Sequence, residues 1–347
     1  MFPWTPVRAR SALVSLLLVA LVAGCTGGEQ DEPAPPDEAV PAPAVAPAPD
    51  LETVRAALRR GVSLRTLPDD VLPPAALVAR GNSLAPRHQA CVLGYLAVEH
   101  GERCLLGDLD ADREVLLWGD VHAAQWIPAL DALGLEEGWR VDVRTKYGCP
   151  PLTGTTAWLH AEERPYAECD QFNAGTLDIV AQQAPEVVLV AGAVRGTSLV
   201  SDGAPVSLGR ATPGNGWVPE PAENGLWQEG LLSSLEELAS QGTRVVVLGD
   251  TPYPGHDVQT CLQRRRDVRR CGTDPRRGTF EVHRRGEERT AARGDATYVD
   301  TRPWFCTRRR CPAVVDGLVV HRDGFTVGRL YATYLARVLG RAAGLLG

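Results

Sequence analysis

Short runs of apolar, β-branched residues recur along the chain from residue 114 onward. They are EVLLWGD (114–120), RVDVRTK (140–146), EVVLVAG (186–192), TRVVVLGD (243–250) and a weaker run, TYVD (297–300). Runs of this kind are typical of parallel strands that are covered by helices on both faces. The spacing between them leaves room for the helix of a right-handed βαβ crossover. The sequence therefore predicts one three-layer α/β/α sandwich with about five parallel strands.

Candidate helices lie between the predicted strands. They are HAAQWIPALDALGLEEG (122–138), a segment after Tyr166, NGLWQEGLLSSLEELASQG (224–242), an Arg-rich stretch at 279–293 and a last segment at 327–345. In an open parallel sheet, ligands bind at the carboxyl ends of the strands. We therefore expect the functional site at four places, namely Gly119-Asp120, Lys146 to Cys149, Gly192, and Gly249 to Pro252.

The first 50 residues have the composition of an export signal followed by a tether. Arg8 and Arg10 precede the apolar segment SALVSLLLVALVA, which is too short for a comfortable membrane span and is typical of a signal peptide. The next residues, LVAGC (21–25), resemble the lipobox of bacterial lipoproteins, whose cysteine is lipidated and becomes the mature N-terminus. A plain signal peptide with an incidental Cys25 is the alternative. Residues 26–50 are rich in Pro, Ala and acids, which predicts a semi-extended tether.

These segments divide the chain into four parts. We predict a signal peptide (1–25), a tether (26–50), an N-terminal extension with one helical stretch (51–110) and the α/β/α domain (111–347). This organisation predicts an exported protein that is lipid-anchored to the extracytoplasmic face of a bacterial membrane. One acyl chain gives only marginal membrane binding, so stable anchoring at Cys25 would need more than one.

Eight cysteines remain when Cys25 is set aside, an even number that is typical of disulfides in an exported chain. Pairing nearest neighbours closes short loops, and it is the pattern we predict: Cys91–Cys104, Cys149–Cys169, Cys261–Cys271 and Cys306–Cys311. Metal binding is the alternative. However, the sequence has no CxxC pair, and His256 and Asp257 lack further ligand partners. We expect neither a metal nor another cofactor.

Positive charge is concentrated in the last quarter of the chain, although the net charge is −7. Residues 261–347 hold 19 Arg and nine acids, an excess of ten positive charges, and the densest segments are RRRDVRR (264–270) and TRRRC (307–311). Two interpretations stay open. The segments form a solvated basic face, or they form a surface that meets anionic envelope polymer or phospholipid head groups. Nucleic acid is not an expected partner of an exported lipoprotein.

Several motifs together resemble one enzyme family. VLLWGDVHAAQW (115–126) resembles the first block of SGNH-type hydrolases and acyltransferases, in particular the extracytoplasmic SGNH domain associated with acyltransferase-3 membrane proteins, where the block reads LLGDSHAAQW. Further segments have counterparts there in the same order: TKYGCPPL (145–152), YAECDQF (166–172), VVVLGDTPYPGHDVQTCL (245–262), YVDTRPWFC (298–306) and VVHRDGFTVGRLYATYLA (319–336). The resemblance covers roughly residues 88–340. It implies an SGNH, flavodoxin-like fold with disulfide-stapled loops, and a role in O-acylation of surface polysaccharide.

The resemblance also implies a Ser-His-Asp triad, in which Ser attacks an ester and His, held by Asp, moves the proton. On this chain the Ser position is Val121 and the His position is Thr326, whereas the acid is retained as Asp323. Gly148 is the candidate for stabilising the oxyanion, and the Asn of the third block has no match in VVLVAGAVRG (187–196). Losing the nucleophile or the base alone removes nearly all of the triad's rate.

Three residues could stand in for the missing groups. His122 follows Val121, but the family has this histidine too, normally as a structural residue. His321 lies two residues before Asp323, and on an extended segment both side chains would point the same way. Asp120 could act as a carboxylate nucleophile, although in the family it shapes the turn. For each residue, the alternative is a purely structural role.

Two main functions follow from these residues. The first is a catalytically inactive SGNH lipoprotein that binds cell-envelope polysaccharide or acylated glycan, or that acts as a partner of a membrane acyltransferase. The second is an active carbohydrate esterase or O-acyltransferase that uses non-standard residues, and a purely structural envelope protein is a third possibility. Four aromatic residues near the strand ends are candidates for stacking on sugar rings or, alternatively, for ordinary packing: Trp126, Tyr147, Tyr253 and Trp304.

Overall fold

The computed structural model describes residues 48–212, 216–219 and 221–346, without side-chain surroundings for residues 210–223. The predicted signal peptide, Cys25 and all but the last residues of the tether lie outside these ranges. Within them, no helix combines the length and the hydropathy that crossing a membrane requires.

The described residues form fifteen strands and twelve α-helices. The strands are β1 (Val92–Leu93), β2 (Leu105–Gly107), β3 (Glu114–Gly119), β4 (Arg140–Lys146), β5 (Trp158–Leu159), β6 (Arg164–Pro165), β7 (Val187–Ala191), β8 (Ser198–Ser201), β9 (Ala204–Ser207), β10 (Gly209–Thr212), β11 (Gly216–Pro219), β12 (Arg244–Leu248), β13 (Thr297–Val299), β14 (Val314–Val315) and β15 (Leu318–Val319). The helices are α1 (Leu51–Ser63), α2 (Val78–Gly81), α3 (Pro86–Gln89), α4 (Val121–Ala124), α5 (Ile127–Glu137), α6 (Ala167–Gln183), α7 (Pro221–Ser240), α8 (Val258–Arg264), α9 (Pro275–Gly278), α10 (Glu281–Arg293), α11 (Arg329–Tyr334) and α12 (Ala336–Ala342).

A seven-stranded sheet forms the centre of this part of the chain. Six strands run parallel in the order β1-β4-β3-β7-β12-β13, and β2 pairs antiparallel with β4. The five apolar runs of the sequence are β3, β4, β7, β12 and β13, so the predicted parallel sheet is confirmed. The remaining strand pairs form four two-stranded hairpins outside the sheet, β5-β6, β8-β9, β10-β11 and β14-β15.

Helices cover both faces of the sheet. In β3, Val115 and Leu117 pack in one cluster with residues of α1, α5, α11 and α12. The intervening Leu116 and Trp118 pack in a second cluster with residues of α6, α7 and α10. Because successive strand side chains point to opposite faces, these two clusters are the two cores of a three-layer α/β/α sandwich, as predicted.

Residues 51–110, expected as an N-terminal extension, supply parts of this sandwich. Helix α1 begins after Asp50, whose carboxylate accepts a hydrogen bond from the Thr53 N–H at 2.8 Å and so caps the helix. Strands β1 and β2 both pair with β4 at the edge of the sheet. The four predicted disulfides are confirmed, and each fastens a loop: Cys91–Cys104, Cys149–Cys169, Cys261–Cys271 and Cys306–Cys311.

Candidate functional site

The turn between β3 and α4 is built by a glycine and an aspartate. Gly119 has a φ of +149°, and a Cβ there would lie 1.8 Å from the carbonyl oxygen of Ala191 on β7, so no larger residue fits. The Asp120 carboxylate accepts hydrogen bonds from the backbone N–H groups of His122 at 2.7 Å and Ala193 at 2.8 Å. It therefore caps α4 and ties this turn to the loop after β7. These hydrogen bonds give Asp120 a structural role that is independent of any catalytic role.

A cavity beside this turn is lined by both residues that the sequence predicts to replace the Ser and His of the triad. Val121 and Thr326 both line this turn cavity, together with Asn82, Leu84, Gln89, Val92, Ala124, Gln125, Tyr147, Arg322 and Val327. Its volume is about 40 Å³, room for about three water molecules if one needs about 10–15 Å³. No histidine or serine is among the described residues that line it. A largely apolar wall therefore surrounds the two predicted triad positions.

Asp323 is engaged by its own loop. Its carboxylate accepts hydrogen bonds from the N–H groups of Phe325 and Thr326, each at 2.7 Å, and from Thr326 Oγ1 at 3.1 Å. Arg322 Nε donates to it as well, at 3.0 Å. Burial alone would raise the pKa of Asp323, but these donors and the Arg322 charge outweigh burial and hold that pKa below its usual value. The retained acid thus binds the hydroxyl that stands where a histidine ring is expected.

His122 forms a buried ion pair that the sequence did not reveal. Its Nδ1 lies 2.5 Å from Asp250 Oδ1, and the hydroxyl of Tyr253 donates to Asp250 Oδ2 at 2.6 Å. Burial works against a charged ring, but the Asp250 carboxylate outweighs it and raises the pKa of His122. Within the described residues, His122 Nε2 has no hydrogen-bond partner, and the edge of the Phe325 ring contacts the imidazole with 4.6 Å between centroids.

Asp250 could have been suspected from its position alone, because it directly follows the apolar run that forms β12. Its pairing with His122 could not, since the two residues are 128 positions apart. The pair depends on β12 lying two strands away from β3 across β7.

The structure does not bring His321 to the turn cavity. The side chain is buried, and its Nε2 lies 2.8 Å from the carbonyl oxygen of Pro252, to which it donates. Burial lowers the pKa of His321 to about 4, because the ring has lost water and the Pro252 carbonyl and Asp323 compensate only in part. His321 is therefore neutral and engaged with the backbone.

Comparison with known proteins places these features in a family. A family model described as "SGNH domain (fused to AT3 domains)" matches residues 88–325. The chain belongs to this SGNH family. The comparison with curated proteins found no match.

Solved structures agree with the SGNH fold. The chain is similar to the periplasmic domain of the lipopolysaccharide acetyltransferase of Salmonella ser. Paratyphi A, with 14% identity, a TM-score of 0.50, and coverage of 67% of this chain and 84% of that one. A Bacteroides fragilis protein described as an acylhydrolase is 11% identical (TM-score 0.39, 69% and 90% coverage), and TesA is 16% identical (TM-score 0.37, 66% and 97% coverage). At such identities the likeness to the first structure shows the fold.

Two glycine positions of the SGNH blocks lie near the cavity but do not line it. Gly148, the predicted oxyanion residue, has a φ of +59° in the turn after β4, and a Cβ there would approach the Tyr95 ring at 3.2 Å. A Cβ at Gly192, after β7, would lie 3.0 Å from Pro151. A Cβ would be tightly placed at either glycine, Gly148 also has a left-handed backbone, and neither glycine lines the turn cavity.

The turn after β4 is held by a buried lysine. Lys146 Nζ donates hydrogen bonds to the carbonyl oxygens of Gly94 at 2.8 Å and Tyr95 at 2.7 Å, and also to that of Ala97. Burial lowers the pKa of Lys146 to about 8. The ammonium fastens the segment after β1 onto the end of β4, beside Tyr147.

The aromatic residues proposed as sugar-stacking candidates are mostly in the core. Trp126, Tyr253 and Trp304 are 1%, 2% and 3% exposed, so the expectation of exposed stacking residues is wrong for these three. Trp126 packs edge-on against Trp304, because both follow strand ends and turn inward onto apolar neighbours. Tyr147 alone among the four is partly exposed, and it lines the turn cavity. In the described ranges, no group of three or more His, Cys, Asp or Glu side chains is placed to hold a metal ion.

Proposed function

We propose that this SGNH domain is a lipid-anchored, extracytoplasmic protein that binds acylated glycan without hydrolysing it. The anchor rests on the lipobox-like LVAGC segment and the tether-like composition of residues 26–50. The extracytoplasmic location is supported by the family and by the four disulfides, which persist in oxidising compartments.

One observation carries the loss of hydrolysis. Val121 and Thr326, which the sequence predicts to take the positions of the triad Ser and His, come from two distant blocks of the sequence and line the same cavity. Ester hydrolysis by this family's chemistry needs a nucleophile and a base in hydrogen-bond reach of one another. A valine side chain offers no nucleophilic atom, and a threonine hydroxyl is too weak a base to activate a water in its place. Both steps of the reaction therefore lose their chemical group.

The same cavity supports binding of an acyl group. At about 40 Å³ it is too small to enclose a sugar ring, but it has the size of an acetyl group. Val92, Val121, Ala124 and Val327 supply apolar contact for a methyl group. At its polar side the Tyr147 hydroxyl accepts a hydrogen bond from Gln89 Nε2 at 2.8 Å. The acyl group of an O-acetylated sugar would enter the cavity while the ring stays outside, beside Tyr147.

A membrane acyltransferase is the partner that the family supports, because the matching model describes SGNH domains fused to AT3 domains. A domain that holds an acylated sugar next to such an enzyme would retain its product or present its acceptor. We therefore propose that the ligand is cell-envelope polysaccharide and that the partner is an acyltransferase in the same membrane.

The test joins a labelling assay to a binding assay. The purified protein should show no esterase activity above background and no labelling by a serine-directed fluorophosphonate. It should bind partly O-acetylated xylo-oligosaccharides at least tenfold more tightly than the same sample after saponification. Val121→Trp should remove this preference by filling the cavity, whereas Val282→Trp, at a side chain that is 55% exposed on α10, should keep it. Stoichiometric labelling, or equal binding of both samples, would overturn the proposal.

The His122–Asp250 pair favours one second candidate, an esterase that uses His122 as its base. The unpartnered Nε2 is the observation in its favour. Against it, the Phe325 ring packs on the imidazole, and no serine or cysteine is among the described residues that line the turn cavity, so His122 has no nucleophile there to activate. Ester hydrolysis by the unmodified protein that disappears in His122→Ala, with the fold intact by circular dichroism, would select this candidate.

A further inference from the structure

A second concave site lies in the Arg-rich part of the chain, outside the turn cavity. The Cys261–Cys271 and Cys306–Cys311 loops meet there, because Thr273 and Cys311 exchange backbone hydrogen bonds at 2.8 and 2.9 Å. This pairing brings together Arg270 of one basic segment (264–270) and Arg310 of the other (307–311), and both line the same cleft. The disulfides and the backbone ladder thus fix the position of two cationic side chains.

The resulting arginine cleft has a volume of about 310 Å³ and is lined by Pro254, Gly255, His256, Arg270, Gly272, Thr273, Asp274, Arg277 and Arg310. A second hollow of about 330 Å³ shares Arg270 and Arg310 and adds Val62, Asp267 and Arg269. The two hollows therefore share this arginine pair in their walls. Four arginines and two aspartates line them, which leaves a net charge of +2 with His256 neutral.

Arg310 carries a charge that its surroundings do not neutralise. Its Nη2 donates to the carbonyl oxygens of Arg269 and Gly272, at 2.5 and 3.1 Å, which holds the guanidinium in place. Its Nε is buried and has no hydrogen-bond partner, and no carboxylate within the described ranges forms an ion pair with it. The Arg310 side chain is partly exposed, and its charge has no counter-charge among the described residues. An anion bound in the cleft would supply that counter-charge.

The two acids of the cleft are already used locally. Asp267 forms a two-pronged ion pair with the guanidinium of Arg269, with Nη2–Oδ2 and Nε–Oδ1 distances of 2.5 and 2.8 Å. Asp274 caps α9 by accepting a hydrogen bond from the Arg276 N–H at 2.9 Å. Neither acid pairs with Arg310. The exposed side chains of Arg270 and Arg277, for which no ion pair is found in the described part of the chain, stay available to a ligand.

We infer that the arginine cleft binds the phosphate group of a phosphorylated sugar. Guanidinium groups match phosphate through paired hydrogen bonds, and several of them around one cleft favour a doubly charged oxyanion over a single carboxylate. Each hollow has room for a small molecule and Arg310 lines both, so we commit to a soluble sugar phosphate rather than to a bilayer surface. The preference for a phosphate group is inferred from the arginines of the cleft. The attachment of that phosphate to a sugar rests on the proposed function.

The test uses the full-length protein in a sugar-free nonionic detergent, with glucose 1-phosphate, glucose, inorganic phosphate and phosphatidylglycerol vesicles as probes in calorimetric titrations. Glucose 1-phosphate should bind and glucose should not. The double change Arg270→Gln with Arg277→Gln should weaken binding at least tenfold. Arg264→Gln with Arg309→Gln removes the same charge from exposed positions outside the cleft and should change binding less than threefold. Arg310→Lys, which keeps the charge but loses the planar fork, should also weaken binding at least tenfold.

Each other outcome overturns the inference. Absence of binding, equal effects of the two double variants, or binding to vesicles without binding to glucose 1-phosphate would show that the cleft does not recognise a sugar phosphate. Equal affinities for inorganic phosphate and glucose 1-phosphate would overturn its sugar part. Val121→Trp should leave glucose 1-phosphate binding unchanged, so failure of this inference and failure of acylated-glycan binding at the turn cavity are distinguishable.

Discussion

Thr326 Oγ1 donates a hydrogen bond to the Asp323 carboxylate, with 3.1 Å between Oγ1 and Oδ2. Asp323, predicted from the sequence to be the triad acid, therefore orients a threonine of its own loop, and two backbone N–H groups share the same carboxylate. Its retention in this chain needs no catalytic explanation, because the loop that closes one side of the turn cavity depends on it.

Replacing this acid should therefore cost stability. We expect Asp323→Ala to lower the free energy of unfolding by about 1–2 kcal/mol, since it removes a capping acceptor and leaves N–H groups without partners. Asp323→Asn keeps one carbonyl acceptor and should cost less. Urea denaturation measures both, with Asp178→Ala, at an exposed position on α6, as the control. If Asp323→Ala unfolds at the same urea concentration as the unmodified protein, the loop does not depend on this carboxylate.

Restoring both reactive groups should restore part of the chemistry. The turn of Gly119 and Asp120 still presents position 121 at the start of α4. We expect Val121→Ser with Thr326→His to be labelled by a fluorophosphonate at least tenfold faster than either single variant, because nucleophile and base act as a unit. Turnover should stay low, since Gly148 does not line the cavity. A double variant that reacts no faster than the singles would show that the turn no longer presents position 121 as a nucleophile.

Stability should depend on pH through His321. Its pKa is about 4 in the folded protein, against an ordinary value of 6.5. Between these values the unfolded chain binds the proton and the folded protein does not, so stability falls as pH falls from 6.5 to 4, by about 3 kcal/mol for this group. Burial raises the pKa of Asp120 to about 6 in the folded protein, so this group contributes a stability that increases as pH falls. Because Asp120 is present in every variant compared, its contribution cancels in the comparison.

The measurement is the free energy of unfolding as a function of pH for the unmodified protein and for His321→Gln. Glutamine retains an N–H donor for the Pro252 carbonyl but does not titrate, so the acid loss of stability should shrink by most of that amount. His160→Gln, at a partly exposed histidine that pairs with Ser198, should leave the slope unchanged. Parallel pH profiles for the unmodified protein and His321→Gln would contradict the assignment.

Replacing Lys146 by arginine should lower the stability of the folded protein. Its ammonium points three donors at three carbonyl oxygens around one point, whereas a guanidinium is planar and longer. We expect Lys146→Arg and Lys146→Met each to lower the free energy of unfolding by about 2–4 kcal/mol, because buried carbonyls lose their partners. Thermal unfolding checks this, and an unchanged midpoint for Lys146→Arg would show that the segment after β1 adapts to the larger group.

The sequence predicted the elements whose own residues form a recognisable pattern. Five strands were visible because each is a buried apolar run several residues long, and the disulfides followed nearest neighbours. Strands β1 and β2 have two and three residues, too few for a periodic pattern, and they exist because β4 offers an edge. Sugar stacking and ordinary packing stayed open for Trp126 and Trp304, since an aromatic residue after a strand has the same sequence pattern whether its side chain turns outward or onto the core.

The burial of Lys146 at the end of β4 has a consequence for chemical modification of the protein. Lys146 is the single lysine of the 347-residue sequence, and its side chain is fully buried. The folded domain therefore presents no lysine amine to reagents such as succinimidyl esters or aldehydes. Modification of Lys146 would require the edge of the sheet to open, so the rate of its acylation reports that opening event directly.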